Sequence, residues 1–182
     1  VVHDLGQLVE RVVPDHVPQC HVLVRRGRAA PTIAHIAAST EADLIVMGSH
    51  GRTLIGRWVL GSVAAEVLRD AVLPVLIVKE PAGPLEQGTL VVAVDFSDAS
   101  EAALRYAGQL AADCGASLCL VHALPIGEHQ SAGHAIMRET ASKALQDLLE
   151  RHVPSAVGSR VHVEMGMGAA AKAIAHYAVA ER

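Results

Sequence analysis

Aromatic side chains are scarce in this 182-residue sequence, at 2% of its residues. Proteins that stack unpaired nucleic-acid bases rely on aromatic platforms, so the composition does not favour that function. Positive charge is not in excess either, because 15 Lys and Arg stand against 19 Asp and Glu, for a net charge of -4. We therefore expect neither nucleic acid nor an anionic membrane surface as a partner.

Long hydrophobic runs are also missing, since no apolar stretch approaches the roughly 20 residues of a membrane span. No signal peptide is visible, although an N-terminus that begins part-way through a repeat carries no information on targeting. Hydrophobic residues nevertheless make up 51% of the chain, which is enough for the core of one large domain or two small ones. We expect a cytoplasmic protein.

Metal and disulfide patterns are equally sparse. Cysteines occur only at Cys20, Cys114 and Cys119, an odd number without CxxC spacing, which favours free thiols. The 11 histidines form no HxxxH or HExxH motif. The sequence therefore predicts no metal site. It also predicts no catalytic residue, because outside the glycine-rich segment it supports no Ser-His-Asp arrangement.

What the sequence does contain is a glycine-rich segment between two apolar runs, within residues 43–79. It places Gly48, Gly51 and Gly61 after the run LIVM and puts Ser62 at the start of the helix-forming sequence SVAAEVLRDA. Glycine lets a backbone approach an anion closely, and a helix start directs free amides and a positive dipole end at it. The segment therefore indicates a phosphate-binding loop, in which Ser62 caps the helix or donates to the phosphate.

The common phosphate motifs GxxxxGK[ST] and GxGxxG do not fit this segment. A glycine-rich surface turn is the structural alternative. His50, Arg52 and Arg57 lie within the loop and could contact a phosphate, although a solvated histidine is the simpler interpretation of His50.

The spacing G-x2-G-x9-G-S, followed by the strand sequence LPVLIVK, resembles the ATP-binding branch of the universal stress protein family. The resemblance implies a doubly wound parallel α/β sheet of the adenine-nucleotide alpha-hydrolase-like type. It also implies ATP as the bound nucleotide, with or without Mg²⁺. The implied contact residues are Gly48, Gly51, Gly61, Ser62, Val63, Asp95 and Ala123.

Residues 90–123 support the same resemblance and read as strand, amphipathic helix, strand. Asp95 follows the first strand, and Ser97 or Asp98 can cap the helix. In the family, the aspartate at this place contacts the base or ribose, and the backbone after the second strand closes over the adenine. Ala123 stands there in place of the usual valine, and His122 before it is expected to be a packing residue.

The chain also repeats itself. GRAAPTIAHIA at 27–37 matches GAAAKAIAHYA at 168–178 in seven of eleven positions, and LVERVVP at 8–14 matches LLERHVP at 148–154. An offset of about 140 residues suits a whole domain and predicts a tandem of two similar α/β units. We expect the C-terminal part of a first repeat at 1–79, a linker at 80–88 and the N-terminal part of a second repeat at 89–182.

Periodicity and turn residues place the elements. The predicted helices are 2–13, 29–39, 61–71, 98–114, 135–151 and 169–181, and the predicted strands are 20–25, 43–48, 73–79, 89–95, 117–123 and 160–165. This alternation predicts parallel sheets with ligands at the carboxyl ends of the strands.

Two arrangements of the half-sites remain open at this point. Asp95 and Ala123 could complete one composite nucleotide site with the glycine loop in a permuted single sheet. Against this, two segments would compete for the place of the same edge strand, residues 20–25 and 161–165. The alternative is two incomplete half-domains that other segments complete.

Three functions fit these features. The first is an ATP-binding stress-response module with slow or absent turnover. The second is an enzyme for slow ATP hydrolysis or nucleotidyl transfer that uses Ser62, His50 and Arg52. The third is a dimerisation scaffold, homodimeric or a tandem pseudo-dimer, in which the apolar edge strand 73–78 pairs with another copy.

Overall fold

The computed structural model describes residues 20–49, 60–79, 85–86, 88–124 and 132–180, together with residue 83 and the helical positions 5, 7–9 and 11. The chain divides into two compact units, Val1–Ala82 and Gly83–Arg182. Both are α/β units with parallel strands.

Helices and strands alternate in both units. The first unit contains α1 (Ala29–Ser39), β1 (Ile45–Gly48), α2 (Ser62–Asp70) and β2 (Val75–Val78). The second contains β3 (Thr89–Ala93), α3 (Asp98–Cys114), β4 (Ser117–Leu124), α4 (Ala132–His152), a 3-10 turn (Gly158–Arg160), β5 (Val161–Met167) and α5 (Ala170–Ala180).

The second unit has helices on both faces of a sheet ordered β3-β4-β5. Leu118 and Leu120 of the central strand point to one face, where they pack with α3 and α4. Cys119 and Val121 point to the other face, where they pack with α5. A central strand covered on both sides needs a continuous apolar run, which SLCLVHAL provides. The predicted doubly wound parallel α/β architecture is therefore confirmed.

The first unit has a two-stranded sheet in which β1 and β2 run parallel and Gly48 lies opposite Val78. Ile45 faces a core to which both α1 and α2 contribute. Residues on the opposite face are exposed, and Val46 retains 58% of its accessible surface. Leu76 and Val78 on that face are each 38% exposed.

The strand predicted at 20–25 is wrong, because residues 20–26 form no regular secondary structure and are exposed. Their repeat equivalents form β5, where Val161 lies opposite Leu118 of β4. A strand is stabilised by its ladder with a neighbour, and the sheet described in the first unit holds only β1 and β2. The same sequence pattern therefore forms a strand only where a neighbouring strand is available to pair with it.

Other predicted elements differ from the structure mainly at their ends. Helices 29–39 and 98–114 have the predicted bounds, whereas β1 and β3 are shorter than predicted and α4 and β5 are longer. Of the helix predicted at 2–13, residues 5, 7–9 and 11 are described and helical. The remaining positions of that helix lie outside the described residues.

Candidate functional site: the carboxyl ends of the strands

The glycine segment of the first unit begins at the carboxyl end of β1. The Ser49 amide donates to the Val78 carbonyl over 2.8 Å, and the Gly61 amide donates to the Ser49 carbonyl over 2.8 Å. These two bonds place the start of α2 beside the end of β1. Gly51, His50, Arg52 and Arg57, also predicted for this loop, lie outside the described residues.

Gly61 is the N-cap of α2 and makes no side-chain capping hydrogen bond, since it has no side chain to do so. Within the helix the first bond runs from the Ala65 amide to the Gly61 carbonyl over 2.9 Å. The amides of Ser62, Val63 and Ala64 therefore precede the helical ladder, and such amides form an anion site at a helix start. The capping role considered for Ser62 is wrong, because Ser62 is the first helical residue and not the cap.

Arg28 is a charged residue near this helix that the sequence reasoning did not single out. Its Nη2 donates to Glu66 Oε1 over 2.6 Å, which joins the start of α1 to the second turn of α2. The Arg28 side chain is 79% exposed, so this pair contributes little to stability. The internal repeat could have drawn attention to Arg28, because the two matching segments differ at this position. The equivalent residue in the second segment is Ala169.

Asp95 lies in the second unit, two residues past the end of β3. Its Oδ1 accepts from the Ser97 amide at 3.0 Å and from the Ser97 hydroxyl at 2.5 Å. These bonds from Ser97 are the main reason that the pKa of Asp95 is lowered from 3.8 to about 2. The exposed carboxylate is thus held as an anion at neutral pH.

The Ser97 side chain forms hydrogen bonds with both Asp95 and Ser100. Its hydroxyl oxygen accepts from the Ser100 amide at 3.2 Å, so of the two predicted candidates, Ser97 and Asp98, Ser97 is the N-cap of α3. Ser100 is buried, and its hydroxyl donates to the Ser97 carbonyl over 3.0 Å while accepting from the Asp95 amide at 3.3 Å. The turn that presents Asp95 is therefore fixed by a closed set of local hydrogen bonds.

Ala123 lies on the neighbouring strand at the same end of the sheet. Ala93 is opposite Val121 in the β3–β4 ladder, so Asp95 and Ala123 each follow this pair by two residues. Ala123 is half-buried and lies opposite Gly166 of β5. The structure thus brings together the two residues that were predicted to contact the base or ribose.

His122 and Phe96 stand beside this pair. His122 Nδ1 lies 2.8 Å from the Val94 carbonyl, and its ring centroid is 4.7 Å from that of Phe96 at an interplanar angle of 52°. His122 was expected to be a packing residue, and its hydrogen bond was not foreseen. Sequence offers little signal for it, because the bond joins residues 28 positions apart.

The predicted contacts are therefore distributed over both units: Gly48, Gly61, Ser62 and Val63 in the first, Asp95 and Ala123 in the second. Among the described residues, no group of three or more His, Cys, Asp or Glu side chains could hold a metal ion. In the same part of the chain, no helix is long and apolar enough to cross a membrane. The amides at the start of α2 fit a phosphate chemically, and the Asp95 carboxylate fits a hydroxyl or amino donor.

The sequence model that describes the universal stress protein family matches residues 4–79 and 88–182. The chain belongs to this family. Universal stress proteins similar to it include one from Methanocaldococcus jannaschii, 40% identical over 73 residues, which are 40% of this chain and 43% of that protein. Another, from Mycolicibacterium smegmatis, is 30% identical over 148 residues, covering 71% of this chain and 50% of the relative. The chain thus spans half or less of the length of these universal stress proteins.

Solved structures of the same family share the fold. A universal stress protein from Archaeoglobus fulgidus matches with a TM-score of 0.58 and 25% identity, covering 97% of this chain and 64% of that one. A protein from Pseudomonas aeruginosa shares the fold with a TM-score of 0.62 and 19% identity, covering 90% of this chain and 59% of that one. A universal stress protein in complex with cAMP matches at a TM-score of 0.43, too low to transfer its ligand.

Proposed function

We propose that this universal stress protein chain binds ATP or a closely similar adenine nucleotide and acts as a nucleotide-dependent stress-response module. The observation that carries the proposal is the start of α2, where Gly61 caps the helix without a side chain beside the end of β1. The amides that precede the helical ladder would bind the phosphates. Gly48, Gly51, Ser62 and Val63 belong to the same proposed phosphate contact.

Asp95 and the backbone at Ala123 would bind the base or ribose. A carboxylate that is ionised and exposed at the end of a strand can accept from a sugar hydroxyl or a base amino group. Mg²⁺, if present, would be bound by the nucleotide phosphates, because the described residues provide no three-ligand cluster. We place the protein in the cytoplasm, with nucleotide as its small-molecule partner.

Calorimetry with ATP tests the phosphate contact. Gly61 has φ of -58° and ψ of 146°, which other residues adopt, so Gly61→Val adds a side chain without requiring a left-handed backbone. We expect this variant to abolish ATP binding, because the new methyl groups occupy the approach of the phosphate to the helix start. Gly83→Val is the matched control, since a Cβ at Gly83 meets nothing within 4 Å.

Equal ATP affinity in Gly61→Val and the native chain would contradict the phosphate assignment. Asp95→Ala extends the test to the other half-site. If Asp95 and the glycine segment contact one nucleotide, both variants weaken the same binding event. If Asp95 and the glycine segment belong to separate sites, Asp95→Ala still shows the ATP-binding event that is lost in Gly61→Val.

An ATP-hydrolysing or nucleotidyl-transfer enzyme of the same fold is the alternative, and rapid multiple-turnover phosphate release lost in Ser62→Ala would favour it. A scaffold without nucleotide is supported by a specific feature, the exposed apolar face formed by Val46, Leu76 and Val78.

We further propose that the chain comes from a tandem of two family repeats, divided at the linker 80–88. Association as a homodimer or tandem pseudo-dimer through 73–78 belongs to the same proposal.

A further inference from the structure

Phe96 adopts a backbone conformation that its side chain does not favour. Its φ is +64°, in the left-handed region that glycine and asparagine enter most easily. Only one other described residue besides glycine, Glu41, has a positive φ. Such a conformation persists when surrounding contacts hold it, and it clusters at functional sites.

Phe96 packs against the imidazole ring of His122. The ring centroids are 4.7 Å apart and tilted by 52°, within the range of favourable aromatic pairs. His122 is itself held by its Nδ1, which lies 2.8 Å from the Val94 carbonyl. A carbonyl only accepts hydrogen bonds, so Nδ1 carries the proton and donates.

His122 contacts the residues on both sides of Asp95 in the sequence. Val94, which accepts from His122, immediately precedes Asp95, and Phe96 immediately follows it. The Val94 amide also donates to the Val121 carbonyl over 2.9 Å, so the turn is joined to β4 by two successive groups. On β4, His122 immediately precedes Ala123. One imidazole therefore joins both residues that we assign to the base or ribose.

We propose that His122 and Phe96 are positioning residues that orient the Asp95 carboxylate relative to the Ala123 backbone for nucleotide binding, an inference that rests on the proposed function. His122 sets the distance between the end of β3 and the end of β4 through the Val94 carbonyl. Phe96 fixes the direction in which the turn leaves β3. Neither side chain has to contact the nucleotide itself.

The test uses the complete chain and two substitutions at the same residue. His122→Leu removes the donor, whereas His122→Asn keeps an N–H donor near the position of Nδ1. We expect His122→Leu to weaken ATP binding about tenfold and His122→Asn to remain within about threefold of the native affinity. His162→Leu, at an exposed residue of β5, is the matched control and leaves the affinity unchanged.

A second readout needs no nucleotide. The carboxyl carbon of Asp95, followed by NMR against pH, reports whether the turn retains its hydrogen bonds. We expect the Asp95 pKa to rise from about 2 towards 3.8 in His122→Leu and to return in His122→Asn. Phe96→Gly, which tolerates the positive φ, should show the same rise, whereas Tyr106→Leu, a similarly exposed aromatic of α3, should not.

An Asp95 pKa that stays at its native value in both His122→Leu and Phe96→Gly would overturn the inference. If the pKa responds as expected but the native chain binds no ATP, the proposed function fails while the orientation of Asp95 by His122 stands. If His122→Leu does not fold, the Asp95 pKa measured in Phe96→Gly decides the test by itself.

Discussion

The Asp95 carboxylate shows how a local turn sets the chemistry of a single residue. It is exposed, so burial does little to its ionisation, and its lowered pKa comes first from the Ser97 hydroxyl and then from the Ser97 amide. Both donors belong to the same turn that caps α3. An aspartate before a helix is often read as a cap, but here Ser97 takes that role and leaves Asp95 facing outward.

This turn predicts a pH dependence of stability. The folded pKa of Asp95, about 2, lies below the ordinary value of 3.8, so ionised Asp95 stabilises the folded chain above pH 3.8. That contribution is lost as the pH falls from about 4 to about 2. Urea unfolding of Asp95→Asn against pH should therefore show a deficit at pH 6 that shrinks towards pH 2. A deficit that is independent of pH would contradict the hydrogen-bond assignment.

At the scale of elements, the packing of α5 on β5 depends on one glycine. A Cβ built on Gly166 would lie 2.5 Å from the Ala173 Cβ, closer than real Cβ atoms approach. Gly166 is opposite Ala123, and Ala173 belongs to the cluster with Cys119 and Val121. The absence of a side chain therefore lets the helix lie close to the sheet beside the proposed adenine contact.

Gly166→Ala should accordingly destabilise the chain. We expect a loss of about 1–3 kcal/mol in the free energy of unfolding, because overpacking forces α5 away from β5. Urea unfolding measures the loss, and Gly83→Ala is the control at a glycine with open surroundings. A change below about 0.5 kcal/mol, typical of surface substitutions, would show that α5 moves at little cost.

At the scale of the whole molecule, the chain covers about two thirds of the Archaeoglobus fulgidus protein and half or less of the two curated relatives. Its first unit leaves one face of the two-stranded sheet apolar and exposed. In the second unit, helices cover both faces. The exposed face and the adjacent edge at β2 are therefore the surfaces at which we propose association between copies.

Leu76→Lys tests this association. Leu76 is 38% exposed in β2, and a charge there should block edge pairing and lower the molar mass measured by light scattering. Leu68→Lys is the matched control, because Leu68 is 44% exposed on α2 and lies outside the strand. The same molar mass in Leu76→Lys and the native chain would remove this interface.

Some features of the chain followed from the sequence alone. Helices 29–39 and 98–114 were predicted to the residue, because helical periodicity is a local signal. The second of them also has a capping serine, Ser97, and a terminal glycine, Gly115. The parallel α/β class followed from the alternation of strands and helices. The family followed from the glycine spacing together with the turn at Asp95, two motifs that carry their chemistry in residue type and order.

Other features depended on contacts between distant residues. The apolar pattern at 20–25 predicted a strand, but strand formation requires a neighbouring ladder, and only the repeat-equivalent β5 has one. The bond from His122 to Val94 and the close approach of Ala173 to Gly166 likewise depend on how neighbouring elements pack. Local sequence therefore determined the helices and the motifs, whereas the tertiary structure decided which strands pair and how Asp95 is held, because those interactions join residues far apart in the chain.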